Sequence, residues 1–136
     1  MRLLMIYATL FSYEPEVRSL EIGDKKAEPA SYENAIIGFI HVEGQDEENA
    51  ASVETKLVKN LKWAARKNNT RAIVLHSFAH LSESKADPQF TKQLFDQVEE
   101  RLRKSGYETY QTPFGYFLNL NVRAPGHSFA RLFKEF

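Results

Sequence analysis

The residues in this sequence best suited to chemistry are four histidines, His41, His76, His80 and His127. An imidazole binds metals and carries protons near neutral pH. His76 and His80 are four residues apart, a spacing that places two metal ligands on one face of a helix. They lie where an apolar strand runs into a loop, so the helical argument does not apply. We therefore expect these histidines to be structural or solvent-facing.

No other nucleophile or ligand cluster stands out. The chain has no cysteine, which excludes a thiol nucleophile and a thiolate metal site. No serine lies in a nucleophile-elbow pattern, and a Ser77–His80 pair has no acid at a predictable place to orient it. Oxygen-ligand metal motifs and glycine-rich phosphate loops are absent. The sequence predicts neither a metal nor a cofactor.

The segment Leu75–Ser82 could bind a ligand in a different way, because it forms a loop directly after a buried strand. Ligand sites of sheet proteins often lie at such strand ends. Small residues such as Ser77 and Ala79 leave backbone N–H and C=O groups accessible to a small polar ligand. A plain exit from strand to loop explains the segment equally well.

The elements that would position this loop follow from hydrophobic patterns. Apolar or alternating runs predict strands at Leu3–Ile6, Asn34–Glu43, Ala72–Leu75, Tyr107–Tyr110 and Tyr116–Val122, and the weak pattern of Ser12–Glu33 predicts short edge strands. Apolar residues at helical spacing predict helices from Asp46 to Asn68, from Asp87–Pro88 to Ser105–Gly106, and over His127–Phe136. This order predicts an α+β domain, with α/β layers, in which helices pack on a mixed β-sheet.

Length and composition limit the class of protein. The 136 residues, 43% hydrophobic and 26% charged, predict one domain spanning residues 1–136. The absence of cysteine fits a reducing cytosol, and we expect a cytoplasmic protein. No apolar run reaches the length that spans a bilayer. Because 18 basic residues balance 18 acidic ones, a nucleic-acid partner would need a local basic patch or another domain to hold it.

Three sequence blocks carry a family resemblance: Phe-Ala-His-Leu-Ser at 78–82, Pro-Phe-Gly-Tyr at 113–116, and Gly126–His127. Together they resemble the N-terminal editing domain of archaeal threonyl-tRNA synthetases, and the resemblance covers essentially the whole chain. That family is similar in fold to the D-aminoacyl-tRNA deacylases. The resemblance implies a homodimer, either excised from a longer synthetase or editing subunit or standing alone.

The resemblance also implies an activity, the hydrolysis of serine wrongly attached to threonine tRNA. The aminoacylation site of a synthetase, built for threonine, cannot strongly reject serine, because one methyl group supplies only ~1–3 kcal/mol of discrimination. The family is thought to activate water with help from the free 2′-hydroxyl of the terminal adenosine. The protein then supplies shape and main-chain hydrogen bonds, and no cofactor.

By the same resemblance, the pocket lies between the loop at Ser77–His80 and the strand after Pro113. His80 and the main chain of Ala79 are the expected catalytic groups, His80 orienting the adenosine or a water. The expected substrate-binding residues are Val42, Glu43, Ser77, Phe78, Phe114, Gly115, Tyr116, Phe117 and Leu118. The implied partners are the 3′-end of tRNA(Thr) carrying serine, and the remainder of a synthetase or a catalytic subunit.

The sequence departs from the family pattern in places. Phe117–Leu118 replaces a common Tyr-Lys, Arg131 replaces a glutamate, and Tyr7–Ala8 replaces a His-Ser. We interpret these changes as a divergent branch that relies on main chain and RNA. Two alternatives are a non-catalytic dimerisation or tRNA-docking module, and a D-aminoacyl-tRNA deacylase.

Overall fold

The computed structural model describes all residues 1–136 as one six-stranded mixed sheet with two helices. The strands are β1 (Arg2–Arg18), β2 (Ala30–His41), β3 (Ala72–Ser77), β4 (Glu108–Gln111), β5 (Tyr116–Arg123) and β6 (Arg131–Glu135), and the helices are α1 (Ala50–Lys67) and α2 (Pro88–Lys104). The strand order is β4-β3-β2-β1-β5, and β6 also pairs with β1. The predicted α+β fold, with helices on a mixed sheet, is confirmed. Neither helix is both long enough and apolar enough to cross a membrane.

The long strand β1 organises the sheet. One of its edges pairs with β2 from Arg2 to Tyr13, and the other is shared by β6 at Arg2–Ile6 and β5 at Leu10–Arg18. The prediction of short edge strands over Ser12–Glu33 is therefore wrong at its start. The register shift between Pro15 and Val17 lets the strand continue past a proline, which has no N–H to donate.

The C-terminal prediction is also wrong, since His127–Phe136 does not form a helix. Only Ser128–Ala130 makes one turn of 3-10 helix, and the chain then continues as β6. The spacing of Phe129, Leu132, Phe133 and Phe136 fits a helix locally. The open edge of β1 offers this segment backbone hydrogen bonds, and that tertiary pairing overrides the local pattern.

The helix ends agree with the sequence with one exception. Asp87 caps α2 by accepting hydrogen bonds from the backbone N–H groups of Gln89 and Phe90, and Gly106, with φ of 89°, follows its end. Helix α1 begins at Ala50 rather than Asp46. A 3-10 helix over Gly44–Asn49 precedes α1.

Two apolar clusters lie on the two sides of the sheet. The larger joins the sheet to both helices through residues such as Leu57, Leu61 and Phe95. The smaller, around Phe11, Ile37 and Phe39, includes no residue of either helix. We call its side of the sheet the open face.

The parallel pairing of β2, β3 and β4 positions the site. Because β2 pairs with β3 and β3 with β4 in parallel, their carboxyl ends meet at one edge of the sheet. The segments beginning at Val42, Phe78 and Thr112 therefore start side by side. Crevices at such edges are common ligand sites.

Candidate functional site

A cavity of about 290 Å³ opens at the carboxyl ends of β2, β3 and β4. It is lined by the loop after β3, the turn from β4 into β5, the first turns of α2 and two residues beyond β1. The structure brings eight of the predicted site residues to this cavity: Val42, Ser77, Ala79, His80, Phe114, Gly115, Tyr116 and Phe117.

Glu43 does not line the cavity. Its Oε1 lies 2.8 Å from the Met1 ammonium nitrogen, and its Oε2 accepts a hydrogen bond from the Ser82 hydroxyl at 2.8 Å. Asp46 also binds the ammonium, at 3.0 Å, and accepts the Glu43 N–H. The hydrogen bond from the ammonium is the main cause that holds the pKa of Glu43 below its ordinary value. Glu43 thus ties the loop after β3 to the amino terminus.

Phe78 and Leu118 also do not line the cavity. The Phe78 ring packs edge-on against Phe39, with centroids 5.3 Å apart. Leu118 packs against the cluster on the open face. Phe117, its neighbour in β5, points to the opposite side and reaches the cavity, with 59% of its surface exposed.

The segment Ser19–Asp24 contributes to the site although no sequence pattern indicates it. Ser19 and Leu20 line the cavity, and both donate backbone hydrogen bonds to the Gly115 carbonyl. The Asp24 carboxylate accepts the Phe114 N–H at 3.0 Å, and its carbonyl accepts the Tyr116 hydroxyl at 2.7 Å. This segment holds the Pro-Phe-Gly-Tyr turn in place.

The close contact between the Pro-Phe-Gly-Tyr turn and the Ser19–Asp24 segment requires a glycine at position 115. Its φ is 80°, and a Cβ atom there would approach the Cα of Gly23 to 2.7 Å. Real Cβ atoms essentially never come so close to backbone, so the turn and the Ser19–Asp24 segment meet only through a glycine.

His76 also belongs to the site, although the sequence does not predict it there. It lines the cavity, is 7% exposed, and its Nδ1 lies 2.9 Å from the Thr112 hydroxyl oxygen. The rings of Phe39 and Phe78 pack against the imidazole. Burial, reinforced by the nearby His80, lowers the pKa of His76 to about 4. The ring is therefore neutral near pH 7.

His41 holds the loop after β3. Its Nδ1 accepts the backbone N–H of Leu81 at 2.9 Å, so its Nε2 carries the proton and donates to the Ser84 carbonyl at 2.6 Å. The Phe78 N–H reaches back to the Ile40 carbonyl of β2. Between these two anchors, the N–H groups of Ala79 and His80 make no hydrogen bond within the chain. Two consecutive amide donors are thus available to a ligand.

The cavity is nearly free of charge. Lys85 is the one lysine or arginine that lines it, and no carboxylate does. Lys85 makes no ion pair within the chain. The available polar groups are main-chain amides, hydroxyls and imidazoles. Such a site suits a small neutral polar group joined to an anion at the rim.

Comparison with known proteins defines the class of this fold and site. The model of the "Archaea-specific editing domain of threonyl-tRNA synthetase" matches residues 1–136. The chain therefore belongs to that family of editing domains, with an aminoacyl-tRNA deacylase role.

Several relatives share this region. The chain is 34% identical over 139 residues to a "Threonine--tRNA ligase" of Thermococcus kodakarensis, and 31% identical over 134 residues to that of Thermofilum pendens. In both comparisons 97% of this chain is covered but only 22% of the relative, so the chain spans about a fifth of the length of these ligases.

A solved structure confirms the fold. The "c-Myc DNA Unwinding Element Binding Protein" superposes with a TM-score of 0.69 over 99% of this chain and 98% of its own, at 12% sequence identity. At that identity the likeness concerns architecture alone. The likeness supports the predicted architecture of helices packed on a mixed sheet.

Proposed function

We propose that this domain hydrolyses L-seryl-tRNA(Thr) and spares threonyl-tRNA(Thr). The observation that carries the proposal is the small, nearly uncharged cavity with two unpaired amide N–H groups, in a chain that belongs to an editing family. The discrimination is steric, because threonine differs from serine by one methyl group. We expect the cavity wall that includes Ile40 and Val42 to reject the larger side chain, a discrimination that the aminoacylation site of a synthetase cannot make.

The amides of Ala79 and His80 supply the electrostatic part of catalysis. Hydrolysis of the ester passes through a tetrahedral intermediate with negative charge on the former carbonyl oxygen. Fixed N–H donors aimed at that oxygen stabilise the charge without reorganising during the reaction. In this mechanism the groups act through the main chain, so the identity of the Ala79 side chain matters little.

The water is activated with help from the 2′-hydroxyl of the terminal adenosine. No carboxylate lines the cavity, and the low pKa of His76 makes that imidazole a weak base. His80 is accessible to the cavity and orients the adenosine or the water. Neither Glu43 nor Leu118 takes part, since both side chains lie outside the cavity.

The net charge of the chain indicates how the domain is held on its tRNA substrate. The chain has zero net charge, so the remainder of a synthetase or a catalytic subunit supplies most of the affinity for tRNA(Thr). Phe117 and Lys85 at the rim suit base stacking and a backbone phosphate of the 3′-end. Because charged tRNA is consumed in translation, the reaction takes place in the cytoplasm.

The homodimer forms through the open face. Phe133 is paired with Leu4, and Leu120 and Val122 with Tyr13 and Phe11, so all three lie on the side of the smaller cluster. They are 47%, 39% and 36% exposed, respectively. Light scattering tests this: the wild type should be dimeric and Leu120→Lys monomeric with the same circular dichroism. A monomeric wild type at micromolar concentration would refute the dimer.

The activity is tested by incubating the domain with seryl-tRNA(Thr) and threonyl-tRNA(Thr). We expect serine release well above the rate in buffer, and threonine release close to it. Equal stability of both esters with and without protein would favour a docking module instead. Preferential cleavage of the D-seryl ester over the L-seryl ester would favour a D-aminoacyl-tRNA deacylase.

A further inference from the structure

His76 is built into the cavity as a fixed hydrogen-bonding group. Only 7% of its surface is exposed, although its ring is polar. Its Nδ1 is paired with the Thr112 hydroxyl, and the rings of Phe39 and Phe78 enclose it. A buried ring held on several sides has one orientation.

The second ring nitrogen of His76 has no partner in the protein. Nε2 makes no hydrogen bond within the chain, and it is not among the polar atoms that are both unpaired and sealed from solvent. Since this nitrogen is not sealed from solvent and His76 lines the cavity, we take it to face the cavity. Buried polar groups normally have partners, so an open one on a cavity wall points to a ligand.

We propose that Nε2 of His76 hydrogen-bonds the side-chain hydroxyl of the aminoacyl group and makes the site selective for serine over alanine and glycine. This inference rests on the proposed seryl-tRNA hydrolysis. His76 is a specificity residue in this scheme, and Thr112 is its positioning residue.

A hydroxyl fits the site better than the other polar group of the amino acid, its α-ammonium. The apolar surroundings that oppose a protonated imidazole oppose any other cation placed beside it, and no carboxylate lines the cavity to offset that cost. A hydroxyl is neutral, and it both donates and accepts. It therefore pairs with Nε2 whichever tautomer the Thr112 contact selects.

Selectivity of this kind complements the steric exclusion of threonine. A cavity that excludes only by size would also accept alanine and glycine. A site that must satisfy a buried polar group disfavours substrates without the hydroxyl, because their binding leaves that group unpaired. The two effects together leave serine as the preferred substrate.

The experiment compares kcat/KM for seryl- and alanyl-tRNA(Thr). We expect the wild type to favour serine at least about tenfold, the equivalent of one hydrogen bond. His76→Phe keeps the ring and removes both nitrogens, and should bring the ratio close to one. His76→Gln, whose amide reaches the position of Nε2, should restore part of it. Thr112→Val, which frees the ring, should lower the ratio less than His76→Phe does.

The control is His127→Phe, the same substitution at an exposed histidine outside the cavity, which should leave the ratio unchanged. If His76→Phe slows both esters equally while remaining folded, His76 is not a specificity residue and the inference is wrong, although the proposed editing function stands. If His76→Phe does not fold, a ratio that is unchanged in Thr112→Val, or a wild-type ratio close to one, overturns the inference. A wild type that cleaves neither ester overturns the inference and the proposed function together.

Discussion

Two buried polar side chains at the same edge of the sheet differ in how fully they are hydrogen-bonded within the protein. Glu43, just beyond β2, has both carboxylate oxygens engaged, by the Met1 ammonium and by the Ser82 hydroxyl. His76, in the neighbouring strand β3, has one nitrogen paired and the other open to the cavity. The amides of Ala79 and His80, a few residues on, are open as well.

The difference separates groups that build the fold from groups that meet a ligand. A buried charge is tolerable only when it is paired, and the Met1–Glu43–Asp46 cluster meets that condition within the chain. An unpaired buried donor or acceptor costs about 1–3 kcal/mol. In the cavity, the N–H groups of Ala79 and His80 and Nε2 of His76 have no partner within the chain and are left for water or a substrate to pair.

The largest expected effect comes from the substrate rather than the protein. If the cavity supplies shape and amides but no base, replacing the terminal 2′-hydroxyl by hydrogen should slow deacylation by about 10²–10⁴-fold, the usual worth of general acid–base catalysis. Single-turnover rates on seryl-tRNA(Thr) with 2′-hydroxyl and 2′-deoxy ends measure this.

The matched protein variant is His80→Ala, measured with both substrates. Normal cleavage of the deoxy substrate by the wild type, together with loss of activity in His80→Ala, would show that the base belongs to the protein. The cavity would then supply a base of its own, unlike the proposed mechanism.

The next largest effect is on stability, at the contact between the two segments that frame the cavity. Gly115→Ala forces a Cβ into the Gly23 backbone at a φ of 80°. We expect a loss of about 3 kcal/mol or more in the free energy of unfolding, from strain and from displacement of the Ser19–Asp24 segment. Urea denaturation measures it. The control is Gly126→Ala, where no atom lies within 4 Å of the added Cβ and the loss should be small.

A wild-type-like midpoint for Gly115→Ala would mean that the Pro-Phe-Gly-Tyr turn moves freely. The cavity would then lack the rigid wall that steric exclusion of threonine requires.

The acid response of stability distinguishes the two buried groups. For His76 the folded pKa of about 4 lies below the ordinary 6.5, so between these values the unfolded chain binds a proton that the folded chain does not. Stability from the neutral ring is therefore present above pH 6.5 and lost as the pH falls towards 4. We expect this loss to reach about 2–3 kcal/mol, and to be absent in His76→Phe. Urea titrations at successive pH values provide the measurement.

The contribution of Glu43 to stability should be lost at lower pH than that of His76. Its pKa is held below the ordinary 4.5, so its contribution is present above pH 4.5 and disappears only as the pH falls further. Glu43→Gln should lower stability at pH 7 by about 1–3 kcal/mol, because the Met1 ammonium keeps Asp46 as its partner. If both variants changed the same pH window, the two groups would not be energetically distinct.

The sequence predicts most of the architecture but only part of the site. Strands β2 to β5, the start of β1, both long helices and the Asp87 cap follow from local patterns. Two of the three family blocks point to Ala79, His80 and the residues from Phe114 to Phe117. No local pattern indicates the role of His76, because that role depends on Phe39 and Thr112, which lie far away in the chain. The Ser19–Asp24 segment and β6 are set by what they pair with. Local periodicity carries no information about such partners.

The smallest expected effect separates a residue that frames the cavity from one that reacts in it. The Tyr116 hydroxyl donates to the Asp24 carbonyl at 2.7 Å, so its hydrogen bond is used within the protein. Tyr116→Phe should cost about 1 kcal/mol of stability and change the deacylation rate only modestly, by less than about tenfold. Thermal melts and single-turnover rates on the same preparation measure both quantities. A rate loss beyond 10²-fold in a variant that melts like the wild type would assign the phenol a chemical role. The cavity would then hold a tyrosine that acts as an acid or base, in addition to its amides and imidazoles.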